Sequence, residues 1–257
     1  MKRGKDGLKT QSSSIQEYDH QMRAVAPSLS NIAFLGIGFY TVPEAALLLR
    51  TPALNIRRWL GGYTFRQKGK QLAMPPLWQP QLPAYDHHLE LGFRDLIELR
   101  FIKGFLDAGL ALKTIRSCLE YARECVKDER PFSTRRFQTD GRPIFLDSLQ
   151  RSGDGELLDL KSRQYVLKNV IERTFKDLDI DHDAVARWRP YSGKDSIVVD
   201  PQRAFGQPIA AASGVPTVTL AEALEAEGSL SRVAYLFDVA VPVVRDAVNF
   251  EKSLRAA

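Results

Sequence analysis

The chain has 257 residues, 44% hydrophobic and 26% charged, the make-up of an ordinary globular protein with room for one to three domains. No apolar run approaches the ~20 residues of a membrane span, and the basic start MKRGKDGLKTQSSS lacks the apolar stretch of a secretory leader, so a cytoplasmic protein without a membrane partner is expected. The net charge of +5 is unevenly placed: residues 1–130 hold 19 Lys and Arg against 13 Asp and Glu, residues 131–200 balance at 12 and 12, and residues 201–257 hold 5 against 6.

Residues 1–36 are polar, Ser-rich and aperiodic, which predicts a flexible tail. Order is expected from Thr41. Thr41-x-x-Glu44 is a capping box with Pro43 in the first turn, followed by the apolar stripe Ala45, Leu48 and Leu49. Thr51-Pro52 starts a second helix at once, with Thr51 read as its N-cap. Ala53, Ile56 and Leu60 then share one face, Asn55, Arg57 and Arg58 point elsewhere, and Gly61-Gly62 ends the helix. Two short helices across a tight turn, the second cationic on one side, have the anatomy of a helix-turn-helix. The same pattern also suits an αα-hairpin with a solvated basic face.

The stretch YTFRQKGKQLAMPPLW reads as strand, basic turn around Gly69 and second strand, as in a wing lying along a phosphate backbone. Six basic residues (Arg50, Arg57, Arg58, Arg66, Lys68, Lys70) and no acid lie between Glu44 and Asp86. A polyanion partner would meet the protein here. After a Pro-rich joint at 80–86 come two amphipathic helices broken near Ala108-Gly109. Leu96, Leu99, Ile102 and Leu106 form one stripe, and Leu112, Ile115, Leu119 and Ala122 the next. Cys118 and Cys125 sit seven apart in the second helix, about 10 Å between Cα atoms, which is too far for a disulfide.

From about residue 39 to 127 the sequence resembles the MerR family of transcription factors. Thr41 to Leu60 is similar to that family's helix-turn-helix, with NIRRW in place of a Thr-Leu-Arg-Tyr-Tyr-like run. DLIELRFIKGFLDAGLALKTIRSCL is similar to the helices after its wing. The segment from Gly62 to Leu91 is longer than that family's wing. The resemblance implies that Arg57 contacts DNA and that Ile56 is core. The expected DNA-binding residues are Thr51, Asn55, Arg57 and Arg58 of the helix pair, with Tyr63, Arg66, Lys68 and Lys70 of the wing. Such a head reads a palindrome as a two-fold dimer, and the apolar helices from Leu91 to Val126 are the expected contact.

Residues 129–199 read as a β-rich joining segment. RRFQTDGRPIFLD suggests two strands about an Asp140-Gly141 turn, a helix follows over Tyr165–Phe175, and DAVARWRPYSGKDSIVVDP suggests two more strands. The run Asp177, Asp179, Asp181, Asp183 has His182 and Trp188 where a calcium loop needs Gly and a carboxylate. A half-buried strand carrying Leu178 and Ile180 is expected instead.

The last section reads as short helices. Thr219-x-x-Glu222 is a second capping box, Ser229 caps SLSRVAYLFD, and Pro242 opens the final helix. Residues 200–257 resemble a small VapB-like antitoxin domain, through Asp200-Pro201, Gly206-Gln207-Pro208-Ile209 and Gly214-Val215-Pro216-Thr217 followed by three helices. The whole chain is similar to mycobacterial-type antitoxins that join a MerR-like head to this tail. That resemblance implies a PIN-like ribonuclease toxin as partner, with Leu236, Phe237, Val243, Val244 and Phe250 divided between a small core and the partner groove.

The resulting fold class is mainly α with small β elements. It comprises a tail (1–36), a winged helix-turn-helix with following helices (37–128), a β-containing middle (129–199) and a C-terminal trihelical helix-turn-helix-like domain (200–257). The expected function is an antitoxin that neutralises its toxin and represses its own operon on double-stranded operator DNA, as a homodimer and a higher toxin–antitoxin complex. The alternative is a MerR-like one-component transcriptional regulator without a toxin partner. An enzyme is not expected, because no phosphate loop, Gly-x-Ser-x-Gly or His-Glu-x-x-His is present. No catalytic residue, metal or cofactor is assigned.

Overall fold

The computed structural model describes residues 36–84, 88–152 and 160–256. The expected tail, apart from Gly36, lies outside these residues, as do residues 85 and 86 of the Pro-rich joint. Strand β1 (Tyr40–Thr41) leads straight into helix α1 (Val42–Leu49). Thr41 and Glu44 form the expected capping box, and Pro43 stands in the first turn, where its missing N–H has no helical partner to lose. A tight turn through Arg50, at φ 49°, reaches α2 (Ala53–Gly61). Thr51 does not cap α2. Its hydroxyl donates to the Leu49 carbonyl at 3.2 Å, and Pro52 takes the N-cap position. Ile56, Trp59 and Leu60 are buried, as helical spacing requires.

Strands β2 (Tyr63–Gln67) and β3 (Lys70–Met74) pair antiparallel across Lys68 and Gly69. Both turn residues have positive φ, the two-residue turn that matches strand twist. At the hairpin base Gly62 has φ 71° and ψ 179°, and a Cβ there would lie 2.7 Å from the Met74 carbonyl oxygen. That region of backbone space is open to glycine alone.

Strand β4 (Glu90–Leu91) pairs with β1 and feeds helix α3 (Phe93–Asp107), which is followed by α4 (Leu112–Val126). The break falls at Ala108-Gly109 as expected. Helix α3 is not amphipathic, however. Leu96, Ile97, Leu99, Phe101, Ile102 and Phe105 are all buried, and so are Asp95 and Glu98. With Ile115, Cys118, Leu119 and Ala122 of α4 buried too, the apolar faces expected to pair two copies are consumed within one chain.

The middle segment differs most from expectation. Residues expected to form a hairpin about Asp140-Gly141 are helix α5 (Arg135–Ser152), with Pro143 inside it. Phe137, Ile144, Phe145 and Leu149 recur at helical spacing and face the core, and their burial outweighs the turn signal. Gly141 answers to close approach, since a Cβ there would meet the Phe137 ring at 3.0 Å. Helix α6 (Leu160–Phe175) contains the expected helix. Six phenylalanines (101, 105, 132, 137, 145, 175) meet at the centre, with ring centroids 4.7–6.3 Å apart where they touch.

Four strands follow in antiparallel order: β5 (Leu178–Asp181), β6 (Ala184–Trp188), β7 (Ile197–Val199) and β8 (Pro208–Ala210). The aspartate run is the expected strand, with Leu178 buried and His182 at φ 50° in its turn. Helices α7 (Thr217–Glu227), α8 (Leu230–Leu236) and α9 (Val241–Arg255) close the chain around a second, smaller core. Ser229 caps α8 as expected. Thr219 does not cap α7, which begins two residues earlier behind Pro216. Residues 36–257 form one unit.

Two buried carboxylates one turn apart organise α3. Asp95 accepts from Trp78 Nε1 at 2.9 Å, the Gln81 and Gly92 amides at 2.7 and 3.0 Å, and Arg130 Nε at 2.7 Å. Glu98 accepts from the amides of Ser133 at 2.7 Å and Phe132 at 3.3 Å, at the 3₁₀ turn Pro131–Ser133. Burial pushes the Glu98 carboxyl up to about 7 from an ordinary 4.5, against the opposing pull of those amides and of Arg94.

The folded state therefore holds this proton more tightly than the unfolded chain does. The stability contributed by Glu98 is full below about pH 4.5 and is lost as pH rises through about 7. Between pH 5 and 8 the stability of the wild type relative to Glu98→Gln should fall by about 2–3 kcal/mol, read from urea unfolding at each pH. A difference that does not change with pH would show that Glu98 keeps an ordinary carboxyl. At the hairpin base, Gly62→Ala should lose about 1–3 kcal/mol. Gly61→Ala, where an added Cβ meets nothing within 4 Å, should be neutral or gain up to about 1 kcal/mol in the same assay.

Candidate nucleic-acid and partner surfaces

Inward burial of Ile56, Trp59 and Leu60 turns Arg57 and Arg58 to solvent, with Asn55 half-buried beside them. Arg58 lies over the Tyr63 ring, 5.5 Å from its centroid, and Tyr63 in turn stands 5.9 Å from Phe65. This stack joins the helix to the hairpin, whose Arg66, Lys68 and Lys70 are all exposed. Thr51 is buried and its hydroxyl is engaged, so of the expected DNA-binding residues it presents least to solvent. Among the described residues no ion pair engages Arg50, Arg57, Arg58, Arg66, Lys68 or Lys70. The arrangement leaves guanidinium and ammonium groups free for phosphate oxygens.

The seat of the hairpin comes from residues that carried no functional expectation. The Leu77 amide donates to the Trp59 carbonyl at 2.7 Å. Arg116 donates to the Pro75 and Pro76 carbonyls at 3.0 Å each, and Arg123 to the Leu77 carbonyl at 2.8 Å. These arginines stand seven residues apart, two turns along one face of α4, and that spacing was the available signal.

The five expected partner residues separate. Val244 and Phe250 are buried, Val244 in the small core and Phe250 against Tyr191, with ring centroids 6.0 Å apart, so neither can meet a partner. Phe237 and Val243 are half-buried against that core. Leu236 alone is exposed, at 54%, and beside it Tyr235 is 86% exposed. Tyr235 is absent from the expected set. Yet Leu230, Val233 and Ala234 of α8 and its C-cap Phe237 face inward at i, i+3, i+4 and i+7, which leaves Tyr235 and Leu236 outside.

Polar contacts join the head to the middle segment and to the tail. Arg100 of α3 donates to Asp177 at 2.6 Å and lies 5.1 Å from the Trp188 ring, while Trp188 Nε1 donates to Asp177 at 3.2 Å. Tyr40 donates its hydroxyl to the Gly206 carbonyl at 2.7 Å. Among the described residues no three His, Cys, Asp or Glu side chains are placed to hold a metal ion, and no helix is long and apolar enough to cross a membrane.

No family model matches the chain. A curated protein of Mycobacterium tuberculosis named "Putative antitoxin VapB45" is 28% identical over 229 residues, covering 83% of this chain and 93% of its own length. The crystal structure of Rv2018 from Mycobacterium tuberculosis superposes with a TM-score of 0.64 at 24% identity, over 81% of this chain and 96% of that one. The chain shares that fold over 81% of its length.

Proposed function

We propose that this protein is the antitoxin of a toxin–antitoxin pair. In this reading the winged head binds operator DNA, and the tail binds and blocks a PIN-like ribonuclease, so that one chain neutralises the toxin and represses its own operon. The observation that carries the reading is the similarity to a relative named as an antitoxin, over 83% of this chain and 93% of that relative's length. The surfaces support the same division of labour. The head presents Arg57, Arg58, Arg66, Lys68 and Lys70 without acidic partners among the described residues, and the tail presents Tyr235 and Leu236 in a segment with 6 acids to 5 bases. Phosphate binding calls for the first kind of surface and a protein groove for the second.

The test uses the full chain with substitutions at exposed positions. Arg57→Glu with Arg58→Glu should abolish the shift of DNA from upstream of its own gene while still rescuing growth against the neighbouring nuclease. Tyr235→Glu with Leu236→Glu should do the reverse. Removing one phosphate-contacting lysine, as in Lys68→Ala, should lower the log–log salt slope by about 0.9. If the head variant fails to rescue growth, or the tail variant loses DNA, the two surfaces are not divided as proposed.

A further inference from the structure

An open groove between α1 and the tail belongs to neither of the surfaces already described. Its volume is about 200 Å³, and its apolar walls include Phe39 and Leu47 from the head and Val218 and Leu254 from the tail. Phe39, Leu47 and Val218 are exposed, Leu47 to 46%. Helix α1 buries Val42, Ala45 and Leu49 in the core, so Leu47 has no duty inward. Phe205, 70% exposed, extends the apolar surface beside Phe39, whose amide donates to the Phe205 carbonyl at 2.9 Å. Left-handed backbone at both Ala204 (φ 46°) and Phe205 (φ 54°) accompanies that exposure. Such a conformation costs a non-glycine residue free energy, and burial of the ring within the chain does not offset it. Apolar side chains gathered in this way differ from ones scattered singly over a surface.

The charge of the groove is one-sided. Glu44 and Glu251 line it, and among the described residues no Lys or Arg does. The Thr41 amide and hydroxyl both donate to Glu44 Oε2, at 2.8 and 2.7 Å. The Thr217 hydroxyl donates to Glu251 Oε1. Among the described residues each carboxylate thus keeps its second oxygen without a donor, and neither has an ion-pair partner. Two carboxylates beside apolar walls repel phosphate, which argues against nucleic acid as the occupant. The volume is also below the ~300–1,000 Å³ of small-molecule pockets, and it suits a large side chain of another protein.

We propose that this groove seats a segment of the toxin in which an aliphatic or aromatic side chain stands beside a lysine or arginine. The apolar side chain packs against Leu47 and Val218, and the cation takes the open oxygens of Glu44 and Glu251. Resting on the antitoxin reading above, this contact at the junction of head and tail adds to that at Tyr235 and Leu236.

The experiment measures binding of the full chain to the neighbouring nuclease by biolayer interferometry over a salt series, with melting temperature as the control for folding. Glu44→Gln with Glu251→Gln removes both charges but keeps the acceptors that Thr41 and Thr217 use, and Gln serves a capping box as Glu does. This variant should bind about tenfold more weakly at low salt, with a flatter salt dependence. Leu47→Lys should weaken binding at least about thirtyfold, because it removes an apolar wall and sets a cation against a cation. Leu47→Glu removes the same wall but adds an acid, so its loss should be at least about fivefold smaller. Both Leu47 variants should melt with the wild type, since this side chain lies outside the core. Sedimentation velocity on the same samples without the nuclease tests the competing occupant. A wild type that binds no nuclease would overturn the antitoxin reading and this contact together. A wild type that binds, with the Glu44, Glu251 and Leu47 variants binding equally well, would overturn the contact alone. So would a Leu47→Lys chain that loses no more than Leu47→Glu, or a change in self-association caused by either, which assigns the groove to a second copy.

Discussion

Everything at the head depends on how one buried charge, the Asp95 carboxylate, is satisfied. An ionised group removed from water needs a full set of donors, and Asp95 draws its four from three separate pieces of chain: the wing exit (Trp78, Gln81), the lead-in to α3 (Gly92) and the segment after α4 (Arg130). Its place in the first turn of α3, where backbone N–H groups point outward, favours a negative charge there. Because the donors come from separate segments, the carboxylate fixes their mutual positions. The hairpin that carries Arg66, Lys68 and Lys70 leaves the head through residues 75–81, so the direction in which its charges face is set in part from inside the protein.

Glu98, one turn further along the same helix, sits in a different environment. It has the Ser133 amide and hydroxyl and the Phe132 amide in contact and Arg94 further off, whereas Asp95 has a guanidinium in direct contact. Desolvation therefore dominates at Glu98 and favours the protonated form. Both carboxylates serve the same stretch of chain. Arg130 is bound by Asp95, and Phe132 and Ser133, two and three residues later, are bound by Glu98. The turn they fix is the entry to α5, and Phe132 and Phe137 on either side of that entry reach the aromatic centre. A polar pair thus sets the register in which the apolar core closes.

Local chemistry made much of the fold legible in advance, and tertiary context hid the rest. The capping box at Thr41, the paired glycines at 61 and 62, the Lys68-Gly69 turn and the α3–α4 break are decided within a few residues, so the sequence alone suffices there. Helix α5 is decided elsewhere. Asp140-Gly141 and Pro143 together read as a turn, but Gly141 is there because the Phe137 ring lies against it, and that ring belongs to a cluster assembled from residues 101 to 175. In the candidate surfaces, exposure of Arg57 and Arg58 follows directly from helical spacing. Burial of Thr51, Val244 and Phe250 does not, because each is covered by chain distant from it or by a sharp local turn. Tyr235 was recoverable from the wheel of α8, but an aromatic residue in a short apolar helix invites a core assignment.

The tail is not an appendage that could be lifted from the head. Strand β1 at the head's start is held by the turn before β8, through the Phe39 amide to the Phe205 carbonyl at 2.9 Å and the Tyr40 hydroxyl to the Gly206 carbonyl at 2.7 Å. Burial pushes the Tyr40 phenol far above its ordinary range, so it stays a donor at any physiological pH. The accepting turn is strained at Ala204 and Phe205, and strain of this kind persists only where the surroundings over-determine the backbone. Here the surroundings are the head. Relaxing the turn would leave the Tyr40 hydroxyl buried without an acceptor, at a cost of about 1–3 kcal/mol that opposes the relief. A further tie runs from Arg100 in α3 to Asp177 at the foot of the sheet. Displacing the sheet and the tail together therefore loads β1, which leads into α1, and α3, whose Asp95 binds the exit of the hairpin.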